Sequence, residues 1–124
     1  MIQLSDIASK PVSYTHLVPL CGSLDREVRG CYAGDLLSWV MSHAQYGDIW
    51  ITVMSNINVA AVASLTECAC VIMAEGNMPD EDTLKAAKDK DITLFSDARG
   101  TYELCCLVGD ALRSLGKGSD SDAK

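Results

Sequence analysis

The sequence predicts an α/β fold, a single three-layer domain with a largely parallel sheet built from βα repeats. Three observations predict it. Three β-prone runs, Ile49–Met54, Ala69–Ala74 and Asp91–Ser96, alternate with helical stretches, and such alternation builds a parallel sheet through right-handed crossovers. The first two runs are apolar almost throughout, as strands covered on both faces must be. The 124 residues, 48% hydrophobic and 22% charged, suit one domain with a core of its own.

The elements follow in order. Ile2, Leu4, Ile7 and Ala8 sit at helical spacing behind possible caps Ser5 and Asp6, which predicts a short helix over Met1–Ser9 that Pro11 stops. His16–Cys21 reads as a strand and Gly22–Asp25 as a turn. Glu27–Ala33 is a second strand, whose central Gly30 signals a bulge or a close backbone approach. Asp35 stands where an N-cap belongs, ahead of Leu36, Leu37, Val40, Met41 and Ala44 on one helical face. Gly47-Asp48 ends that helix and Ile49–Met54 is a buried central strand. Ser55–Asn58 caps a helix to Leu65, and Ala69–Ala74 is the next strand. Pro79, Asp80, Glu81 and Asp82 open a helix to about Lys90, with acids where the dipole favours them. Asp91–Ser96 is the third strand and Asp97–Gly100 a loop. Thr101–Leu115 is the last helix, with Thr101 as its cap. The domain is expected over residues 1–115. The Gly/Ser/Asp-rich residues 116–124 read as a flexible tail.

Net charge is −7 and the sequence pI about 4.6. An acidic surface repels phosphate backbones and anionic lipid, so neither nucleic acid nor a membrane is the expected partner. The sequence has no apolar run of membrane-spanning length and no signal-peptide pattern at Met1–Lys10, so the expected location is the cytoplasm. Six cysteines, Cys21, Cys31, Cys68, Cys70, Cys105 and Cys106, contain no C-x-x-C pair. They read as small core hydrophobes in a reducing compartment, with a redox or iron–sulfur role as the competing account.

In a parallel sheet, ligands bind beyond the carboxyl ends of the strands. Three loops meet there: Ser55–Asn58, Glu75–Asp80 and Ser96–Tyr102. Each feeds a helix N-terminus whose free N–H groups can hold an anion or carboxylate. The candidate ligand-binding residues are Ser55, Asn56, Asn58, Glu75, Gly76, Asn77, Asp80, Ser96, Thr101 and Tyr102. Asn56 and Asn58 also serve as simple caps, and Trp39 and Trp50 read as core or interface residues.

The stretch Leu24–Met41, followed by Gly47–Thr52, Asn56–Ala63, Pro79–Leu84 and Thr101–Glu103, resembles the short stand-alone DRTGG-domain proteins of anaerobic bacteria. The resemblance spans about Leu4 to Leu115 and rests on several motifs in matching order. It implies a fold similar to the N-terminal domain of HPr kinase/phosphorylase. It also implies a regulatory or assembly module, often dimeric, like those within long phosphotransacetylases and beside CBS domains in regulated pyrophosphatases. The short proteins are encoded near iron-only hydrogenase components, which suggests a redox partner. Where the family carries Asp-Arg this chain has Ser55-Asn56. Where it carries Thr-Gly-Gly this chain has Ala74-Glu75-Gly76, so only Gly76 is kept.

Signs of catalysis are few. His16 and His43 are the only histidines, and His43 reads as a surface cation near a helix C-terminus. No Gly-x-Ser-x-Gly elbow appears, and Gly116-Lys117-Gly118-Ser119 lacks the order of a phosphate loop. Asp80, Glu81 and Asp82 are first-turn acids rather than metal ligands. The expectation is therefore a non-catalytic, ligand-sensing domain that needs no cofactor and takes a small, nucleotide-like or anionic molecule. The alternative is a homodimeric interaction module serving a redox or signalling protein.

Overall fold

The computed structural model describes residues 1–8 and 17–120, and the side chains of these except 117–120. The elements are β1 (Ile2–Gln3), α1 (Leu4–Ala8), β2 (Pro19–Cys21), β3 (Glu27–Val28), β4 (Gly30–Ala33), α2 (Leu37–His43), β5 (Asp48–Thr52), α3 (Asn58–Thr66), β6 (Cys70–Met73), α4 (Glu81–Asp89), β7 (Leu94–Ser96) and α5 (Thr101–Asp120). The main sheet runs in the order β2-β7-β6-β5-β4, and β1 pairs with β3 in a separate ribbon. The pairs β4–β5, β5–β6 and β6–β7 are parallel, while β2 joins β7 antiparallel at the edge. The expected α/β fold with a largely parallel sheet is what forms.

Strand order advances one place at each crossover, so crossovers of one hand put their helices on one face. The core shows this directly. Trp50, Val71, Met73 and Leu94 pack with Val40 of α2, with Val59, Ala60 and Ala63 of α3, and with Ala87 of α4. Ile49, Ile51, Cys70, Ile72 and Phe95 point to the other face, against Leu4 and Ile7 of α1 and Leu104, Val108 and Ala111 of α5. Alternate residues of each strand therefore feed two cores, giving three layers. Trp50 is fully buried and donates its indole N–H to the Gly34 carbonyl at 2.9 Å.

Several expectations are corrected. Met1–Ser9 is not helical from its start: Ile2 and Gln3 pair with Val28 and Glu27 before α1 begins. Glu27–Ala33 is not one strand but two in different sheets. The Arg29 N–H turns aside to the Gly47 carbonyl between them, at 2.9 Å. Gly30 does mark a close approach, since a Cβ there would stand 2.8 Å from Asp48 Oδ1. The strand expected over His16–Cys21 covers only Pro19–Cys21, and His16 lies outside the described residues, as do Ser9 to Thr15. Asp35 does not cap α2. Leu36 occupies that position, and the Asp35 carboxylate reaches across to β5. Thr101 lies within the first turn of α5 rather than ahead of it, and Leu104 N–H bonds to the Gly100 carbonyl at 3.0 Å. The helix runs past Leu115 to Asp120, and residues 121–124 of the expected tail lie outside the described residues. Among the described residues no helix is long and apolar enough to cross a membrane.

Candidate functional site

The carboxyl ends of β4, β5, β6 and β7 present four loops, and hydrogen bonds tie them in two pairs. After β6, Glu75 and Gly76 both have positive φ, 62° and 74°, and the Asn77 N–H returns to the Ala74 carbonyl at 3.2 Å. This turn needs the left-handed region twice, and Gly76 supplies it without strain. The turn is bound to the loop after β7. Glu75 N–H donates to the Arg99 carbonyl at 2.9 Å, Gly76 N–H to the Asp97 carbonyl at 2.8 Å, and the Ser96 hydroxyl to the Asn77 carbonyl at 2.6 Å. Arg99 grips Asp97 in a two-pronged ion pair, with Nε to Oδ1 at 2.8 Å and Nη2 to Oδ2 at 2.8 Å. Asp97 Oδ1 also accepts from Arg99 N–H at 2.9 Å. The Arg99 side-chain hydrogen bonds hold the Asp97 carboxyl below the usual carboxylate range.

The loop after β5 belongs to the other pair. Asp35 Oδ1, from the loop after β4, accepts from the Thr52 hydroxyl at 2.9 Å and from Val53 N–H at 2.8 Å. The three predicted loops therefore do not close on one another as a trio. Glu75–Asp80 and Ser96–Gly100 interlock, while Asp35 holds Thr52 and Val53 at the end of β5.

Many of the predicted site residues serve the local structure. Asn56 Oδ1 accepts from Asn58 N–H at 2.9 Å, the turn that starts α3. The Asn77 side chain donates to the Ala74 carbonyl at 2.8 Å. Asp80 caps α4 by accepting from Thr83 N–H at 2.8 Å, and that backbone bond lowers its pKa. Ser55, Asn77, Ser96 and Thr101 are half-buried, and Asn56, Asn58, Glu75, Gly76, Asp80 and Tyr102 are exposed. Asp35, Asp97 and Arg99 were missing from the sequence-derived set. Asp35 was assigned to a helix cap, and no local pattern distinguishes a carboxylate that spans two strands from one that caps its own helix.

His43 ends α2, stacks on Trp39 with ring centres 4.1 Å apart, and lies 2.9 Å from the Trp39 carbonyl through Nδ1. The Ser42 hydroxyl lies equally close to Nδ1, at 2.9 Å. All six cysteines are free thiols. Burial pushes Cys68 up to about 11 and Cys31 up to about 12, and raises Cys70 well above the ordinary thiol value. Cys31 on β4 and Cys105 on α5 pack against the core beside β4 and β5. Among the described residues no group of three His, Cys, Asp or Glu side chains could hold a metal ion. A cleft of about 330 Å³ opens at the opposite end of the sheet, beside the amino ends of β5, β6 and β7.

No protein-family model matches the sequence, and a search of the curated proteins finds no match. Among solved structures, the fold is similar to the CBS and DRTGG domains of the regulatory region of Clostridium perfringens pyrophosphatase, solved with the activator diadenosine tetraphosphate. The TM-score is 0.53 at 16% identity, with 64% of this chain and 35% of that chain covered. This chain thus spans about a third of its neighbour's length. At that identity the likeness is one of fold, and the fold is DRTGG-like.

Proposed function

We propose that this chain is a non-catalytic regulatory domain that binds a small molecule on the loops at the carboxyl ends of its parallel strands. The observation that carries this reading is the fold, which is similar to part of the regulatory region of a pyrophosphatase. The interlocked loops support it. Their backbone is fixed by reciprocal hydrogen bonds, so exposed Glu75 and Gly76 stand on a prepared surface. For a nucleotide-like or anionic ligand the N-terminus of α3 is the best-suited point. It carries Ser55, Asn56 and Asn58 and no acid in its first turn. The N-terminus of α4 already holds Asp80, Glu81 and Asp82, which repel an anion.

The test is thermal denaturation against a panel of mono- and dinucleotides and small anionic metabolites. At roughly 100 times Kd a ligand should raise Tm by on the order of 5–10 °C. The rise should vanish in Asn56→Ala and in Gly76→Asn, a residue that tolerates positive φ while adding bulk where Gly76 has open space. A panel that leaves Tm unmoved removes this reading.

A second reading is a homodimeric interaction module that docks on a redox or signalling protein. It rests on α2, which holds no Lys, Arg, Asp or Glu and buries only Val40. Trp39 and Met41 on it are 57% and 47% exposed, and Leu36 at its N-cap is 67% exposed. Sedimentation over a hundredfold concentration range decides it: a strict monomer that captures no partner ends this reading.

A further inference from the structure

The sheet carries α2, α3 and α4 on one face and α1 and α5 on the other. A surface helix ordinarily turns charged residues to water. α4 does so with Glu81, Asp82, Lys85, Lys88 and Asp89, and α5 with Glu103, Asp110 and Arg113. α2 and α3 do not. Neither Leu37–His43 nor Asn58–Thr66 holds a Lys, Arg, Asp or Glu, in a chain where 22% of residues are charged.

The two helices lie side by side, with Val40 of α2 in one core with Val59, Ala60 and Ala63 of α3. Their outward surfaces therefore form one face. α2 contributes Trp39 and Met41, with Leu36 at its N-cap. α3 contributes Leu65, 70% exposed, with Ile57 at its N-cap, 50% exposed. The other exposed residues on these helices are Ser38, Ser42, His43, Asn58, Ala61 and Ser64.

Size and charge bear on what covers this face. At about 200 Å² for a fully exposed large side chain, the five apolar residues offer roughly 600 Å², and the smaller residues bring the face near the ~800 Å² per partner of a standard interface. A patch of that extent marks an interaction site, as apolar residues scattered singly do not. The chain carries a net charge of −7, so two copies repel each other wherever their carboxylates meet. Repulsion is least where no charge stands, and among the described helices only α2 and α3 offer such a surface. A basic partner would be drawn instead to the carboxylates elsewhere on the chain.

We infer that two copies of this chain associate through the α2–α3 face, with Trp39 and Leu65 as the main apolar anchors. The inference rests on the homodimeric reading and names its surface. Ligand binding on the carboxyl-end loops can fail without touching it.

The full chain is sedimented over a hundredfold concentration range in about 150 mM NaCl, with tryptophan emission recorded at each concentration. A reversible monomer–dimer equilibrium is expected. Trp50 is fully buried within one copy, so a blue shift of the emission on association reports Trp39. Trp39→Glu and Leu65→Glu each put a carboxylate on the face, and each should weaken the dimer roughly tenfold or more. Val18→Glu alters an exposed apolar residue beside β2, at the far edge of the sheet, and should leave the dimer unchanged. Circular dichroism checks that each variant folds, and the wild-type emission decides the matter if one does not. A strict monomer overturns this inference together with the homodimeric reading. A dimer that persists in Trp39→Glu and Leu65→Glu, that Val18→Glu weakens equally, or that forms without a change in emission overturns the inference alone.

Discussion

The two ends of one parallel sheet meet the same task, turning the chain between strand and helix, with different chemistry. At the carboxyl end, Asn56, Asn77, Asp80, Ser96 and Asp97 each spend a side chain on a nearby N–H or carbonyl. At the amino end, Gly47, Glu67 and Asp91 turn the chain with left-handed backbone, and Arg26 holds the Asp91 carboxylate. Helix starts present unpaired N–H donors that short polar side chains can accept from, so polar residues there are consumed. Helix ends present carbonyls satisfied by a left-handed residue, which leaves a side chain over. Polar residues before a helix are thus weak indicators of a ligand.

The largest expected effect breaks the carboxyl end. Asp97→Ala removes the acceptor of Arg99 and loosens both loops, and should cost about 2–3 kcal/mol in denaturant unfolding. Because the folded Asp97 pKa lies below its unfolded value, this group stabilises the fold above about pH 4. That contribution is lost as pH falls through the folded pKa, so the wild-type and Asp97→Ala melting curves should converge in acid. A gap between them that persists to about pH 2 would show that Asp97 acts by packing rather than charge.

A smaller effect of opposite sign belongs to the amino end. Glu67→Gly relieves the left-handed strain at the end of α3 and should stabilise the fold by about 0.5–1.5 kcal/mol, read as a rise in Tm. A destabilised variant would mean that the Glu67 side chain supports the turn, and the contrast between the two ends would weaken.

The smallest effect sharpens how closed the amino-end cleft is. Cys68 lies on its lining but is buried, with its pKa at about 11 against an ordinary 9.0. Alkylation at pH 8, followed by peptide mass spectrometry, should modify exposed Cys106 first and Cys68 roughly 100-fold more slowly than an unburied thiol. Rapid labelling of Cys68 would reveal a cleft that opens further.

Much of the fold was legible because periodicity reports burial. Ile49 to Ile51 and Cys70 to Met73 are apolar on both faces, which only a strand between two helical layers requires. Glu27–Ala33 misled because its apolar and polar residues suit one strand, while the break at Arg29 depends on the distant Gly47 carbonyl. The candidate site was legible as loops and less so as residues. Asp80 was recognisable as a first-turn acid, but the pairing of Glu75 with Arg99 joins residues from separate turns that no local pattern connects.

The sequence by itself determined the layers, the parallel strands and the helices between them, because those follow from local spacing of apolar side chains. Tertiary structure alone decided how the loops pair and where Asp35 reaches. It also set the cleft between Arg26, Glu67 and Asp91, which brings together residues from three separate parts of the chain. Contacts of that kind form only after the strands are in register, and register is a property of the whole sheet.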